Sequence, residues 1–441
     1  MSKRNFILLT IILLVAIIAF WGFLYFRQST NPPEGDTTGT NFISQFNPFG
    51  NNKPTTTPST TPPVDISGYE PSTTPEANIK LKKVSSMPIA GFTVFSKERL
   101  KEINLSPALP AKGSSGSLKP TPPLTEFVLT LRYVERTTGN IYQTFADKIE
   151  ERKFSTTIIP VVYEAFFGNR GESVIMRYLK TDARTIITFI GTLPKEFLGA
   201  DTAASNEIKG IFLPEDTKNI SLSGDALSLF YLFNSGDNVI GATFNLLNNK
   251  RAQIFDSPFT EWASLFPNNK MITFTTKPAF RIPGYMYVLD PNNKNYNFNK
   301  ILGNINGLTT LASPNGKLVL YSDDNLSLSI YHPDTKVSDI LGIKTLSEKC
   351  VWNKTSEVVY CGVPKSVAGG QYPDSWYQGE VSFSDQIWKI DIKTGNATII
   401  TDPTAVSGED IDSIKLMLDD GENYLFFVNK KDSFLWELSL K

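Results

Sequence analysis

The side chains best suited to acid–base or metal chemistry are scarce in this sequence. Its 441 residues include a single histidine, His332. Histidine is the usual general base and the commonest metal ligand, so one copy excludes most hydrolase triads and most zinc sites. His332 stands in the segment YHPDTK, whose composition is typical of a hairpin turn. We therefore expect it to be a surface turn residue, and we assign no catalytic residue, no metal ligand and no cofactor.

Two pairs of adjacent carboxylates, Asp323-Asp324 and Asp419-Asp420, are the remaining candidates for catalysis. Glycosidases use a pair of carboxyl groups on either side of the scissile bond. Neighbouring residues on a strand point to opposite faces, however, and Asp is favoured in turns for backbone reasons. We expect both pairs to form turns.

The two cysteines, Cys350 and Cys361, enclose the segment CVWNKTSEVVYC. If its two halves pair as antiparallel strands that turn at Thr355-Ser356, the cysteines lie directly opposite each other. Opposed residues of a non-hydrogen-bonded pair are close enough for a bridge, and thiols oxidise outside the cytoplasm. We predict a cross-strand disulfide; the alternative is two buried free thiols.

An uncharged apolar run at Phe6–Phe26 indicates where in the cell the protein lies. About 20 apolar residues span the hydrocarbon core of a bilayer as a helix. Lys3, Arg4 and the α-amino group outweigh Arg27, so residues 1–5 are expected to be cytoplasmic and the remainder extracytoplasmic. The run is longer than a signal-peptide core and lacks a small-residue cleavage site. We predict an uncleaved signal-anchor at the cell membrane that crosses once, rather than a cleaved signal peptide.

Residues 27–78 differ sharply in composition from the rest of the chain. They are rich in Pro, Thr and Ser and contain few large apolar residues, too few to bury a core. We predict a disordered tether that holds a domain formed by residues 79–441 away from the membrane.

The overall charge bears on the class of partner. Lys and Arg number 43 against 44 Asp and Glu, and the formal net charge is −1. Phosphate backbones reward a basic face, so nucleic acid is excluded as the expected partner.

Beyond the tether the sequence is typical of strands. Val, Ile, Thr, Phe and Tyr alternate with polar residues in short runs, such as Glu126–Val134 and Tyr424–Val428. Apart from two segments that could form short helices, Lys97–Ile103 and Pro258–Leu265, no amphipathic helical pattern stands out. The sequence predicts an all-β fold.

Two kinds of hairpin turn recur between the strands. Asn-Gly and Asp-Gly supply the positive φ that tight hairpins need. Two hairpins per unit give four strands, and units of roughly forty residues are typical of β-propeller blades. The first turn recurs at residues 167–172, 233–237, 266–270, 313–317, 353–357 and 418–422, and the second at 136–140, 290–294, 333–336 and 391–396.

Two of these units carry a family resemblance. The segments SPNGKLVLY (313–321) and WNKTSEVVY (352–360) resemble the repeat of TolB-type propellers, and IWKIDIKTG (387–395) is similar to the partner segment of that repeat. The resemblance covers about residues 125–441 and implies a propeller fold without transferring any catalytic residue. The order of anchor, tether and propeller is also similar to that of uncharacterised membrane-anchored propeller proteins of candidate-phylum bacteria.

The turn count favours one propeller of seven blades, with six or eight as alternatives. We expect the ring to close by pairing an N-terminal strand near Met87–Phe95 with the last unit, whose final strand is predicted at Phe434–Leu440. Closure leaves no exposed sheet edge.

The candidate binding residues lie in two enlarged loops, each joining the second and third strands of a unit. The loop Pro364–Ser384 is rich in aromatic residues, and the loop Lys277–Gly284 precedes another aromatic residue. Tyr, Trp and Arg dominate binding hot spots, although these aromatics could instead only cap the central channel. The predicted ligand-binding residues are Tyr372, Trp376, Tyr377, Phe280, Arg281 and Tyr285.

These features lead to three functional hypotheses, one of which is a purely structural stalk-and-head protein. The first is a non-catalytic module, tethered to the membrane, that binds or scaffolds a protein or glycan of the cell envelope. The alternative is an envelope hydrolase with a carboxylate-based site in the propeller channel. Converging carboxyl groups with perturbed pKa values in the channel would favour the enzyme.

Overall fold

The structure is a computed structural model, and it describes residues 81–101, 124–194, 207–293 and 298–441. The predicted anchor at 6–26 and tether at 27–78 lie outside these residues. Within them, no helix has the length and apolar character needed to cross a membrane.

The described residues form seven antiparallel sheets of four strands each. In chain order the strands are β1 (Leu81–Lys83), β2 (Ile89–Leu100), β3 (Thr125–Glu135), β4 (Ile141–Phe145), β5 (Arg152–Lys153), β6 (Val162–Gly168), β7 (Ser173–Leu179), β8 (Ile186–Thr192), β9 (Lys209–Phe212), β10 (Asn219–Leu222), β11 (Ser228–Ser235), β12 (Asn238–Asn245), β13 (Arg251–Ser257), β14 (Trp262–Asn268), β15 (Met271–Thr276), β16 (Pro283–Leu289), β17 (Asn299–Asn306), β18 (Thr309–Ala312), β19 (Val319–Ser322), β20 (Ser327–His332), β21 (Val337–Lys344), β22 (Cys350–Trp352), β23 (Val358–Pro364), β24 (Asp385–Asp391), β25 (Ala397–Thr401), β26 (Ser413–Leu418), β27 (Tyr424–Asn429) and β28 (Leu435–Ser439).

The sheets are the blades of a β-propeller, which confirms the predicted all-β fold and the seven blades. Blades 1 to 6 each use four consecutive strands, from β2–β5 to β22–β25, and blade 7 consists of β26, β27, β28 and β1. The first strand of each of six blades borders one central cavity. First strands are therefore the innermost ones, and fourth strands form the outer rim.

The strand β1 closes the ring, and it is a different strand from the one predicted. Leu81–Lys83 pairs with Trp436–Leu438 of β28, whereas the predicted closing segment at 87–95 begins the inner strand of blade 1. The prediction was wrong by one strand because β1 has only three residues, too few to show an alternating pattern.

The core lies in the gaps between blades. Each pair of neighbouring blades encloses one cluster of buried apolar side chains. A middle strand is therefore covered on both faces, as in β27, where five of the six residues YLFFVN are buried. Outer strands have one free face, and in β21 (VSDILGIK) six of eight residues are exposed.

The strand order defines two faces of the disc. Loops joining second to third strands and connections between blades lie on what we call the loop face; the remaining hairpins lie on the turn face. Five of the six first-type turns join the first and second strands of a blade, as predicted. The exceptions are the first-type turn 233–237, which joins β11 to β12, and the second-type turn 136–140, which joins β3 to β4. Both are second-to-third connections on the loop face; their short Gly-containing turns resemble the others in composition, so sequence did not separate them.

Helical structure is confined to short segments: a 3-10 turn (Ser347–Lys349), α1 (Asp374–Tyr377) and α2 (Pro403–Ser407) in the described part of the chain. In α2, Asp402 caps the N-terminus, Pro403 occupies the first turn, and Gly408 ends the helix at φ 74°. The two predicted short helices are wrong. Lys97–Leu100 continues β2, and Trp262–Leu265 begins β14, because pairing with the neighbouring strand overrides weak helical spacing.

The predicted disulfide is confirmed. Cys350 in β22 is the register partner of Cys361 in β23, with a Cα–Cα distance of 4.1 Å. The bridge joins the two inner strands of blade 6 beneath the large loop that follows β23.

Candidate ligand-binding site at the channel mouth

A central channel forms a cavity between the inner strands of the propeller. Its cavity volume is about 590 Å³, within the usual range of ligand sites. Every inner strand begins at the loop face, so its first residues mark that end of the channel. Polar side chains line the loop-face half, and apolar ones, including Phe167, Leu222 and Met417, line the turn-face half.

The loop of residues 365–384 covers part of the channel mouth. Its aromatic side chains Tyr372, Trp376 and Phe383 are at most 5% exposed and pack on Leu326 and Leu346. The Tyr372 hydroxyl donates to the carbonyl of Ala368 at 2.7 Å. The loop thus has its own small core, which keeps α1 in a fixed position.

A buried ionic cluster beneath α1 fastens this loop to blades 6 and 7. Lys349, Asp385 and Asp412 are fully buried, and Lys349 Nζ lies 2.8 Å from Asp385 Oδ2 and also contacts Asp412 Oδ1. Asp412 Oδ2 accepts hydrogen bonds from the Trp376 indole at 2.9 Å and from the Phe383 N–H at 3.0 Å. The loop cannot leave this position without uncovering a charged group.

The pKa values of the cluster follow from burial and pairing. Burial raises the pKa of Asp385. Burial would also raise that of Asp412, but the Lys349 ammonium and the donated hydrogen bonds outweigh it, so the pKa of Asp412 is lowered. The two carboxylates likewise outweigh burial at Lys349 and raise its pKa. The cluster therefore holds a charged lysine.

The second enlarged loop, residues 277–282, contacts the first. The N–H of Phe280 donates to Asp374 Oδ2 at 2.5 Å. This bond links blade 4 to blade 6. Arg281 is exposed at φ 58°, and its guanidinium lies 5.0 Å from the Phe280 ring centre. The two loops together form a bridged rim.

Tyr377 and Glu348 connect this rim to the channel. The Tyr377 hydroxyl donates to Glu348 Oε1, and both side chains line the cavity. Both side chains open into the channel, and Tyr377 is 42% exposed. The protein around them nevertheless desolvates both groups and raises the pKa of each.

Lys415 is the cationic group of the cavity wall. It occupies a β-bulge, where the pairing of β26 with β27 shifts between Ile414 and Met417, and its φ of 53° is unusual for a lysine. Its ammonium donates to the carbonyl of Ala90 at 2.8 Å, across the seam between blades 7 and 1. Burial lowers the pKa of Lys415; Glu164 opposes this shift, and Arg136 and Arg177 reinforce it.

The six predicted ligand-binding residues fall into three groups. Tyr377, Phe280 and Arg281 lie on the rim at the channel mouth. Tyr372 and Trp376 are buried in the loop core, so they support the rim rather than face a partner. Tyr285 lies apart, on the third strand of blade 4, with Lys300 Nζ 5.5 Å from its ring centre.

The other candidates from the sequence are turn residues, as predicted. Asp419 Oδ1 accepts hydrogen bonds from the N–H groups of Asn423 and Tyr424, both at 2.7 Å. Asp323 Oδ1 accepts those of Asn325 and Ser327, both at 2.9 Å. His332 ends β20 at a hairpin, and its Nε2 lies 3.0 Å from Asp339 on the paired strand.

Sequence reasoning missed Glu348, Lys415 and the buried cluster. None of these residues belongs to a recognisable sequence motif. Glu348 lies just before β22, and Lys415 is the only charged residue of β26 (SIKLML). No three His, Cys, Asp or Glu side chains come together as metal ligands in the part of the chain that is described.

Comparison with known proteins adds a likeness of architecture. No family model and no curated protein matches the sequence. Among solved structures, an oligogalacturonate lyase in complex with manganese is 10% identical, with a TM-score of 0.47 over 71% of this chain and 86% of that one. An oligogalacturonate lyase from Vibrio parahaemolyticus is 9% identical, with a TM-score of 0.44 over 71% and 86%. TolB from Acinetobacter baumannii is 11% identical, with a TM-score of 0.38 over 69% and 61%.

At this level of similarity none of these structures assigns an activity or a ligand to the chain. What the chain's own strand pairing establishes is its architecture: it is a seven-bladed β-propeller whose channel mouth carries a bridged rim.

Proposed function

We propose that this chain is a membrane-tethered, extracytoplasmic propeller that binds a protein or glycan partner of the cell envelope through its loop face, without catalysis. The apolar run Phe6–Phe26 and the Pro/Thr-rich tether support the location. The propeller supplies a rigid disc with one elaborated face.

The distribution of exposed apolar side chains carries the proposal. Of thirteen large hydrophobic residues exposed in the described part of the chain, eight lie on the loop face by strand order; the others lie on the turn face or the outer strands. Concentration on one face is typical of an interaction surface. The eight are Ile158, Val161, Leu179, Phe212, Phe259, Ile282, Tyr377 and Val406.

These side chains favour a protein over a glycan as the partner. Aliphatic groups such as Ile282 (58% exposed) and Ile158 (68% exposed) gain free energy from burial against apolar surface, at about 25 cal/mol per Å². Sugar hydroxyls would gain little from them. Arg281 beside Ile282 adds a donor that can pair with carboxylate or carbonyl groups.

The test compares matched variants of the full chain as bait for cross-linked envelope proteins. Ile282→Asp changes the loop face, and Leu247→Asp changes an equally exposed residue (60%) in a turn-face hairpin. We expect a partner that binds the wild type and Leu247→Asp and is lost with Ile282→Asp. Equal capture by both variants would contradict the proposal. Changes to Tyr372 or Trp376 are unsuitable, because they would disrupt the loop core.

A second candidate, the envelope hydrolase, is favoured by one observation. Glu348 lies in the channel with its pKa raised by burial, and a carboxyl group of raised pKa can serve as a general acid. Assays of glycoside, ester and peptide hydrolysis with wild type and Glu348→Gln decide this. A hydrolytic activity lost in the variant would establish the enzyme and overturn the non-catalytic proposal.

A further inference from the structure

Most polar side chains of the channel wall are already paired with each other. Ser264 donates to Asn219 Oδ1 at 2.5 Å, and the hydroxyls of Thr275 and Thr310 lie 2.6 Å apart. These groups have little hydrogen-bonding capacity left for a ligand.

The charged side chains of the wall are Glu164, Glu348 and Lys415, and they differ in how far they are satisfied. Glu164 Oε2 lies 2.5 Å from the buried guanidinium of Arg177, so its charge is neutralised within the protein. Glu348 accepts one hydrogen bond, at Oε1, and Lys415 donates one, to a neutral carbonyl. Among the described residues, neither side chain lies within hydrogen-bonding distance of a group of opposite charge.

The position of Lys415 requires an explanation beyond packing. A β-bulge with a non-glycine residue at positive φ costs free energy, of order 1–3 kcal/mol, and bulges commonly re-aim a side chain next to a functional site. Here the bulge puts an ammonium group into a cavity whose turn-face half is apolar. Glycine would adopt the same backbone conformation without this cost.

The cavity therefore offers one amino group, one carboxyl group and an apolar floor. We propose that the channel binds a small zwitterion of the ω-amino-acid class, whose carboxylate contacts Lys415 and whose ammonium contacts Glu348. The aliphatic stem of the ligand would lie against the apolar side chains beyond them. Tyr377, at the mouth, orients the Glu348 carboxylate through its hydrogen bond. The site goes beyond the proposed protein-binding face and shares only Tyr377 with it.

Calorimetric titration of the full-length chain in detergent at neutral pH tests the proposal. The probes are glycine, 4-aminobutyrate and 6-aminohexanoate, with butyrate and butylamine as singly charged controls. Hydrogen bonds to charged groups contribute about 1.5–3 kcal/mol, so at least one zwitterion should bind about 10- to 100-fold more tightly than either control. The best chain length reports the spacing of the two charges.

Variants assign the two contacts. Lys415→Met should reduce the affinity of the best zwitterion to that of butylamine, Glu348→Gln should reduce it to that of butyrate, and Lys415→Arg should retain part of it. Lys344→Met, an exposed lysine on the outer strand β21, is the matched control and should bind as wild type. The inference is overturned if no zwitterion binds better than the singly charged controls, or if Lys415→Met and Glu348→Gln bind unchanged. Because the ligand series uses the wild type, failure of a variant to fold leaves that first result decisive.

Discussion

Removing the cation of the buried cluster should destabilise the propeller strongly. Lys349→Met keeps a side chain of similar length but leaves Asp385 and Asp412 together in a site with no solvent access. Breaking a buried ion pair on one side costs about 3–5 kcal/mol, a large part of the 5–15 kcal/mol that is usual for a folded domain. We expect a loss within that range.

A double variant separates the charge effect from the loss of packing. The cluster carries one positive and two negative charges, so Lys349→Met leaves two negative charges, and Lys349→Met with Asp385→Asn leaves one. The double variant should regain about 1–3 kcal/mol relative to Lys349→Met, because less uncompensated charge is buried. Asp385→Asn keeps an oxygen that can accept from Ser413, whose N–H lies 2.7 Å from Asp385 Oδ2.

The assay is equilibrium urea unfolding with the disulfide intact, followed by tryptophan fluorescence. Trp376 is a local reporter, since Lys349 Nζ lies 5.3 Å from its ring centre and its indole donates to Asp412. The reasoning is refuted if Lys349→Met unfolds within about 0.5 kcal/mol of wild type, which is the ordinary scatter of surface substitutions.

Three further predictions concern other parts of the ring. Burial raises the pKa of Glu437 to about 7 from 4.5. The neutral Glu437 side chain therefore contributes to the free energy of unfolding fully below about pH 4.5, and this contribution is lost as pH rises through 7. The difference between the two pKa values corresponds to roughly 3 kcal/mol. Glu437→Gln should therefore be about 3 kcal/mol more stable than wild type at pH 8 but not at pH 4.5, as urea midpoints at the two pH values will show. Reducing the Cys350–Cys361 bridge, which closes an 11-residue separation, should lower stability by about 3 kcal/mol, measured by unfolding with and without dithiothreitol; an unchanged midpoint would count against it. A Cβ on Gly91 would lie 1.9 Å from a backbone oxygen of the next blade, whereas one on Gly369 meets nothing within 4 Å, so Gly91→Ala should lose about 1–3 kcal/mol and Gly369→Ala should not, by the same assay.

The fold was largely predictable because propeller blades repeat. Gly- and Asn-containing turns mark the hairpins, and the offset of Cys350 from Cys361 fixes the register of blade 6. What failed was local: a closing strand of three residues carries no periodic signal, and a turn joining second to third strands has the same composition as one joining first to second. Tertiary pairing decides such cases.

The candidate site was less predictable because its parts come from distant segments. Lys415 meets Ala90 across 325 positions in the sequence, and nothing in either segment announces the contact. The aromatic loop was recognised from composition, but composition does not show which rings face inward. Trp376 has a hydrogen-bond acceptor beneath it in Asp412 and is buried, whereas its neighbour Tyr377 reaches the channel mouth.

The most direct test of the loop-face proposal is site-specific photo-cross-linking in intact cells. A photoreactive amino acid is placed at Ile282 on the loop face or at Leu247 on the turn face of the full-length chain, and the adducts are identified by mass spectrometry. The account predicts one recurrent envelope protein cross-linked from position 282 and absent from position 247. Equal cross-linking from both positions, or recurrent cross-linking from 247 alone, would contradict it.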